Sequence, residues 1–197
     1  MRTDLFFSAD IESDGPVPGR FSMLSFALVV AGSFDGARFT PATLDDAFSA
    51  ELRPISDTFD PEALRVSGLS REHLLAHGRD PAEAMVACAS WIEEQANGKT
   101  PVLVAYPLGF DWSFLTYYFM QYAGKSPFGH SHGFDLKTAV ALETSVPIGG
   151  AGRSKLPAHL LSTRPHTHKA LDDARAQAEI LVNLFAARAS GSNGSSS

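Results

Sequence analysis

The chain has little cysteine, no basic excess and no long apolar run. Its single cysteine, Cys88, excludes an intrachain disulfide and fits a reducing, cytoplasmic compartment. Cys88 falls in a helical pattern with Met85, Trp91 and Ile92, as a small core residue does. No apolar stretch approaches the ~20 residues of a membrane span. Met1-Arg2-Thr3-Asp4 lacks the basic-then-apolar layout of a secretory signal. Sixteen Lys and Arg against 22 Asp and Glu leave a net charge of −6. That balance argues against tight, non-specific binding along a duplex, where a basic face supplies most of the affinity. A pocket for a short or single-stranded end stays open to such a chain, above all where bound cations offset its acids. One local scarcity stands out: neither Lys nor Arg occurs between Leu5 and Gly19.

With 197 residues, the chain can bury a substantial core in one domain. Residues 1–189 read as that domain, and "SGSNGSSS" at 190–197 reads as a flexible tail. Leu5, Phe7, Ala9 and Ile11 alternate with Phe6, Ser8, Asp10 and Glu12, and two largely apolar faces predict a central strand covered on both sides. "DGPVPG" ends it, "FSMLSFALVV" is a second strand, "FDGARFT" a third, and "AELRPI" a further short extended piece. Asp60-Pro61 and Ser70-Arg71 start short helices, and Asp80-Pro81 caps a longer one to about Gln95. "TPVLVAY" is a buried strand, "DWSFLTYYFMQY" a core-facing aromatic helix, and "DLKTAVALE" a short helix. A loop-rich stretch then leads to a last helix from about Lys169 to Ala187. This order predicts α/β or α+β architecture with a mixed sheet.

Asp10 and Glu12 project from the same strand face, inside the stretch that offers no cation. Burying two unpaired carboxylates side by side is costly. A divalent ion with hard oxygen ligands, Mg²⁺ or Mn²⁺, removes the repulsion, and a solvated strand end would avoid it altogether. Asp111 opens the aromatic helix just beyond a buried strand. A helix N-terminus favours an acid there, and α/β sites also gather at such strand ends. At about 100° per residue, Leu171, Ala174, Ala178, Leu181 and Phe185 form one stripe of the last helix. Asp173 lies on its flank with Gln177, Ile180 and Leu184, whereas Asp172 lies further round with Arg175 and Glu179. Asp173 is therefore the inward acid and Asp172 the solvated one. His168, five residues before Asp173, can share its site only from the loop or cap that leads into the helix. An imidazole there is suited to take a proton from water, although a surface histidine beside His166 would look the same.

Together these residues resemble the DEDDh exonuclease family, the RNase H-like branch that includes polymerase proofreading subunits, oligoribonuclease and RNase T. Its first motif, Asp-x-Glu, is matched by Asp10 and Glu12. Its second, an Asp ahead of a Phe-Leu pair, is matched by Asp111 in "FDWSFL". Its third, His-x4-Asp, is matched by His168 and Asp173, and "VSGLSREHL" is similar to the middle section. Order and spacing agree over about residues 4–187. Two departures occur: Ser13-Asp14-Gly15 stands where many members carry Thr-Gly, and Tyr106-Pro107 where His-Asn is usual.

The resemblance implies an α/β, RNase H-like mixed five-stranded sheet flanked by helices on both faces. It implies two divalent cations, Mg²⁺ or Mn²⁺, on Asp10, Glu12, Asp111 and Asp173, with His168 as general base. The reaction would release nucleoside 5′-monophosphates from the 3′ end of single-stranded or short RNA or DNA. Members often form homodimers, which the resemblance extends to this chain as well. Ser13 and Tyr106, at the two departures, are expected to contact the 3′ end. Phe128 and Phe134, flanking "GHSHG", are the expected base-stacking residues, and Phe110 and Phe114 read as core. Two other readings share the fold or the first motif: a catalytically silent nucleic-acid-binding module, and a small-molecule phosphoesterase. The haloacid-dehalogenase pattern does not fit Glu12 and Ser13.

Overall fold

Strand β1, Asp4–Ser13, is the centre of the architecture, because its two faces feed two separate cores. Leu5, Phe7, Ala9 and Ile11 pack with Met85, Cys88, Ile92, Phe114 and Tyr118. Phe6, on the opposite face, packs with Val29, Val104, Leu181 and Leu184. Each fully buried side chain of this size contributes ~1.5–3 kcal/mol, so neither face can be exchanged for a solvated one. The computed structural model describes residues 2–192.

The strand order is Phe39–Pro41 (β3), Met23–Phe34 (β2), β1, Thr100–Ala105 (β5) and Gly133–Asp135 (β6). Strand β2, Met23–Phe34, runs antiparallel to β1, and β5, Thr100–Ala105, runs parallel to it. Strand β6, Gly133–Asp135, extends the parallel side. Two short strands share the other edge: β4, Ala47–Glu51, pairs with residues 25–29 of β2, and β3, Phe39–Pro41, with residues 32–34. Six strands thus occupy the five positions of the expected mixed sheet, and helices cover both faces.

Helices α1 (Pro61–Ser67), α2 (Arg71–His77) and α3 (Pro81–Ala96) start at Asp60, Ser70 and Asp80, whose side chains accept backbone N–H groups. Helix α4, Leu108–Tyr118, starts before the aromatic run and widens into a π-type turn at 119–123. Helix α5, Leu136–Glu143, is capped by Asp135, and α6 spans Ala170–Ser192. Of the expected tail, 190–192 continue α6, and the rest lies outside the described residues. Strand β6 was not foreseen: three residues are too few to show alternation. Cys88 is fully buried, and burial pushes its thiol well up, so it packs as an inert core residue. No helix among the described residues is long and apolar enough to cross a membrane.

Candidate active site

Three elements meet at the C-terminal end of β1. The strand's two-residue period carries Asp10 and Glu12 onto the face covered by α6, and the β1–β2 register shifts just after Glu12. Asp111, in the first turn of α4 and 7% exposed, accepts the Ile11 N–H at 3.0 Å through Oδ1. It thereby grips β1 between the other two acids. Asp173, in the first turn of α6, is buried while Asp172 is partly exposed, as the helical period requires. One turn on, Gln177 Nε2 donates to Asp10 Oδ1 at 2.7 Å.

Oxygens of Asp10, Glu12 and Asp173 all lie within 4.8 Å of one another. Asp173 Oδ1 accepts the Thr167 N–H at 3.2 Å, while its buried Oδ2 finds no hydrogen-bond partner among the described residues. Burial raises the Asp10 carboxyl well above the usual range, and the charges of Asp111, Asp173 and Glu12 add to it. Burial and the Asp173 charge push Glu12 up to about 7. Burial also lifts Asp111 to about 7, against the pull of the backbone N–H groups at Asp111 and Ile11. Arg153, from a short turn at 153–155, opposes all three shifts. Hard oxygen donors, mutual repulsion and an orphaned buried oxygen together fit divalent cations.

The histidines are arranged differently from the acids. His166 Nδ1 lies 2.6 Å from Asp173 Oδ1, and the His166 and His168 rings are 4.3 Å apart. His168 has φ +55, a left-handed residue just before α6. Both rings are exposed, and each offers a nitrogen within 4.8 Å of the Asp173 carboxylate and of the other.

A comparison with models of known protein families finds no match. In structure, the chain is similar to the nuclease domain of 3′hExo, a DEDDh family member bound to rAMP, with a TM-score of 0.68 and 12% identity, covering 94% of this chain and 92% of that one. In sequence, it is 41% identical over 186 residues to the 3′-5′ DNA exonuclease Cap18 of Escherichia coli, covering 91% of this chain and 92% of that protein. The chain belongs to the DEDDh family of 3′–5′ exonucleases. E. coli Exonuclease I in complex with a dT13 oligonucleotide shares the fold at a TM-score of 0.64 and 17% identity. There the match takes in 98% of this chain but 43% of that one, so this chain spans less than half of Exonuclease I. The DEDDh exonucleases are hydrolases that use divalent metals and act on nucleic acid.

Four residues expected to touch substrate have other partners in this exonuclease. Ser13 is buried and its Oγ donates to the Gly15 carbonyl at 2.8 Å, closing the turn beyond Glu12. That turn needs glycine at 15, since a Cβ there would lie 2.1 Å from the Phe21 ring. Tyr106 is buried and its hydroxyl donates to the Ala151 carbonyl at 2.8 Å, so it fastens the loop before Arg153. Phe128, 4% exposed, meets Phe7 and Phe119 edge-on in the core. Phe134 packs edge-on against Phe6 and lines a cavity with Asp4, where β1 begins, away from Asp10. Stacking needs an open ring face, which the enclosed Phe128 does not offer, whereas Phe134 is half-buried. Phe114 is buried as expected, but Phe110, beside Asp111, is 41% exposed.

Sequence reasoning also missed Arg153, Gln177 as the Asp10 donor, and the buried Asp14. Asp14 accepts the Ser22 N–H at 2.5 Å and pairs with Arg71, which also donates to the Ser56 carbonyl at 2.6 Å. For Gln177 a signal existed, one helical turn from Asp173 on the same flank. For the others none did.

Proposed function

We propose that this exonuclease removes nucleoside 5′-monophosphates from the 3′ end of short or single-stranded nucleic acid, with two Mg²⁺ or Mn²⁺ ions held by Asp10, Glu12, Asp111 and Asp173. The observation that carries the reading is the convergence of Asp10, Glu12 and Asp173 oxygens within 4.8 Å. Such ions, when bound, ease deprotonation of the attacking water and stabilise charge on the leaving 3′ oxygen. The chain's own contribution begins with orientation. Gln177 holds Asp10 Oδ1 and the Ile11 N–H holds Asp111 Oδ1, leaving their other oxygens as donors. Asp173 contributes its unpartnered Oδ2. His168 accepts a proton from water as the water oxygen bonds to phosphorus. The bond from phosphorus to the 3′ oxygen breaks, and that oxygen takes a proton from solvent. Phe110, exposed beside Asp111, offers a ring face on which an unpaired base can stack without sequence preference.

DNA is the first substrate class to try, because the relative at 41% identity is a DNA exonuclease by name. A second reading gives the proton to His166, and its 2.6 Å approach to Asp173 favours it. The test is digestion of a 5′-labelled DNA oligonucleotide and its RNA counterpart, with Mg²⁺, with Mn²⁺ and with chelator. The expected result is a metal-dependent ladder shortening from the 3′ end and absent in Asp10→Ala. Intact oligonucleotide alongside hydrolysis of a small aryl phosphate would instead assign a phosphoesterase. Turnover in His166→Ala and His168→Ala decides between the two bases.

A further inference from the structure

The segment between α5 and α6 contains only two short 3₁₀ turns, yet it carries both histidines of the site. Tyr106 fastens its first half at Ala151, and side chains from α6 hold the second half. Glu179 Oε2 accepts from the Ser162 hydroxyl at 2.6 Å and from the Thr163 N–H at 3.1 Å, and Oε1 accepts from the Thr163 hydroxyl at 2.8 Å. Arg164 Nε stands 3.9 Å from Oε2, and Asn183 Nδ2 donates to the Leu161 carbonyl at 3.0 Å. Three residues after Thr163, His166 reaches Asp173 on the same helix.

Glu179 and Asp173 are six residues apart, about 9 Å along a helix axis. The loop therefore spans a short gap between two fixed points, with little slack to absorb a shift at either. Helical period alone would leave Glu179 on the solvated side with Asp172. Its carboxyl nonetheless lies below the ordinary value: partial burial raises it, and the Ser162 and Thr163 hydrogen bonds with the Arg164 charge outweigh that.

We propose that Glu179 is a positioning residue of this exonuclease, clamping residues 161–164 to α6 so that the following histidines stand over the carboxylates. The inference rests on the reading that a histidine of this loop takes the proton in the reaction. It is tested with Glu179→Ala, Glu179→Gln and the double variant Ser162→Ala/Thr163→Val, each measured alone and combined with His168→Ala and His166→Ala. Turnover, KM for a DNA oligonucleotide, Mn²⁺ affinity and melting temperature are read for each.

Glu179→Ala is expected to lower kcat at least tenfold, with KM, Mn²⁺ affinity and melting temperature near wild type. Glu179→Gln, which can still accept from Thr163, should recover most of that loss, and the Ser162/Thr163 double variant should reproduce it from the other side. Combined with the variant of the histidine that carries turnover, Glu179→Ala should add nothing further, because both act through one group. Wild-type kcat in Glu179→Ala, or a loss that simply multiplies with the histidine's, would overturn the proposal. Full turnover in both single histidine variants would instead remove the histidine base itself, and the clamp's role with it. The Ser162/Thr163 variant decides the matter should Glu179→Ala fail to fold.

Discussion

The two sides of the site are built by different means. On one side Asp10, Glu12 and Asp111 stand on β1 and α4, regular elements whose backbone is fixed by the sheet and by the Asp111–Ile11 hydrogen bond. On the other, His166 and His168 are exposed on an irregular segment held by side-chain contacts to α6. Asp173 belongs to both: its backbone is helical, and its Oδ1 faces the histidine loop. In the mechanism proposed above, the difference separates two tasks. Holding concentrated charge demands a rigid frame, because repulsion would otherwise push the carboxylates apart. Accepting and releasing a proton demands access to water, which a loop supplies.

That contrast can be broken at either side. The largest effect is expected from Asp10→Ala or Asp173→Ala, which should abolish metal-dependent 3′ cleavage while the fold persists by circular dichroism. His168→Ala should lower turnover by roughly 10²–10⁴ with metal affinity retained, as measured by single-turnover kinetics and metal titration. A parallel loss of metal affinity would show that the loop belongs to the charge-holding side.

Asp111→Ala should weaken the fold as well as the activity. It strands the Ile11 N–H inside the protein, at a cost of ~1–3 kcal/mol, read as a lower midpoint in urea. Asp10→Asn should do the opposite without metal, raising the midpoint by removing one of the repelling charges.

The pH dependence of stability has a definite sign. Glu12 and Asp111 are pushed up to about 7 in the folded chain, against ordinary values of about 4. Between those limits the folded state holds protons that the unfolded chain has released. Their contribution is therefore fully present below about pH 4 and is lost as pH rises through 7. Metal-free protein should lose melting temperature from these groups between pH 5 and 8, and the gain on adding Mn²⁺ should grow over the same range. The smallest effect is expected from Asp172→Ala, within about twofold of wild-type turnover; a loss like that of Asp173→Ala would refute the assignment of helix faces.

Much of the site was legible where local periodicity governs it. Two-residue alternation joined Asp10 to Glu12, and the helical period separated Asp173 from Asp172. What stayed hidden depends on contacts distant in sequence. The Tyr106 hydroxyl meets a carbonyl 45 residues away, and Arg71 meets Asp14 across 57. Nothing near Phe128 announces that Phe7 and Phe119 will enclose it, and nothing near Phe110 announces that its ring stays open. The glycines and histidines flanking Phe128 and Phe134 suggested exposure, yet Phe128 is enclosed in the core and Phe134, on β6, is half-buried. The fold was legible for a similar reason: long strands and capped helices declare themselves locally, whereas β6, behind the glycine- and histidine-rich turn, does not.

Whether the carboxylates hold two ions is read by a Mn²⁺ titration of the metal-free protein, by calorimetry in two buffers of different ionisation enthalpy. Two ions per chain are expected, bound with release of protons from the raised carboxyls near neutral pH, with binding largely lost in Asp10→Ala. Binding unchanged in that variant, or no Mn²⁺ bound at all, would contradict that expectation.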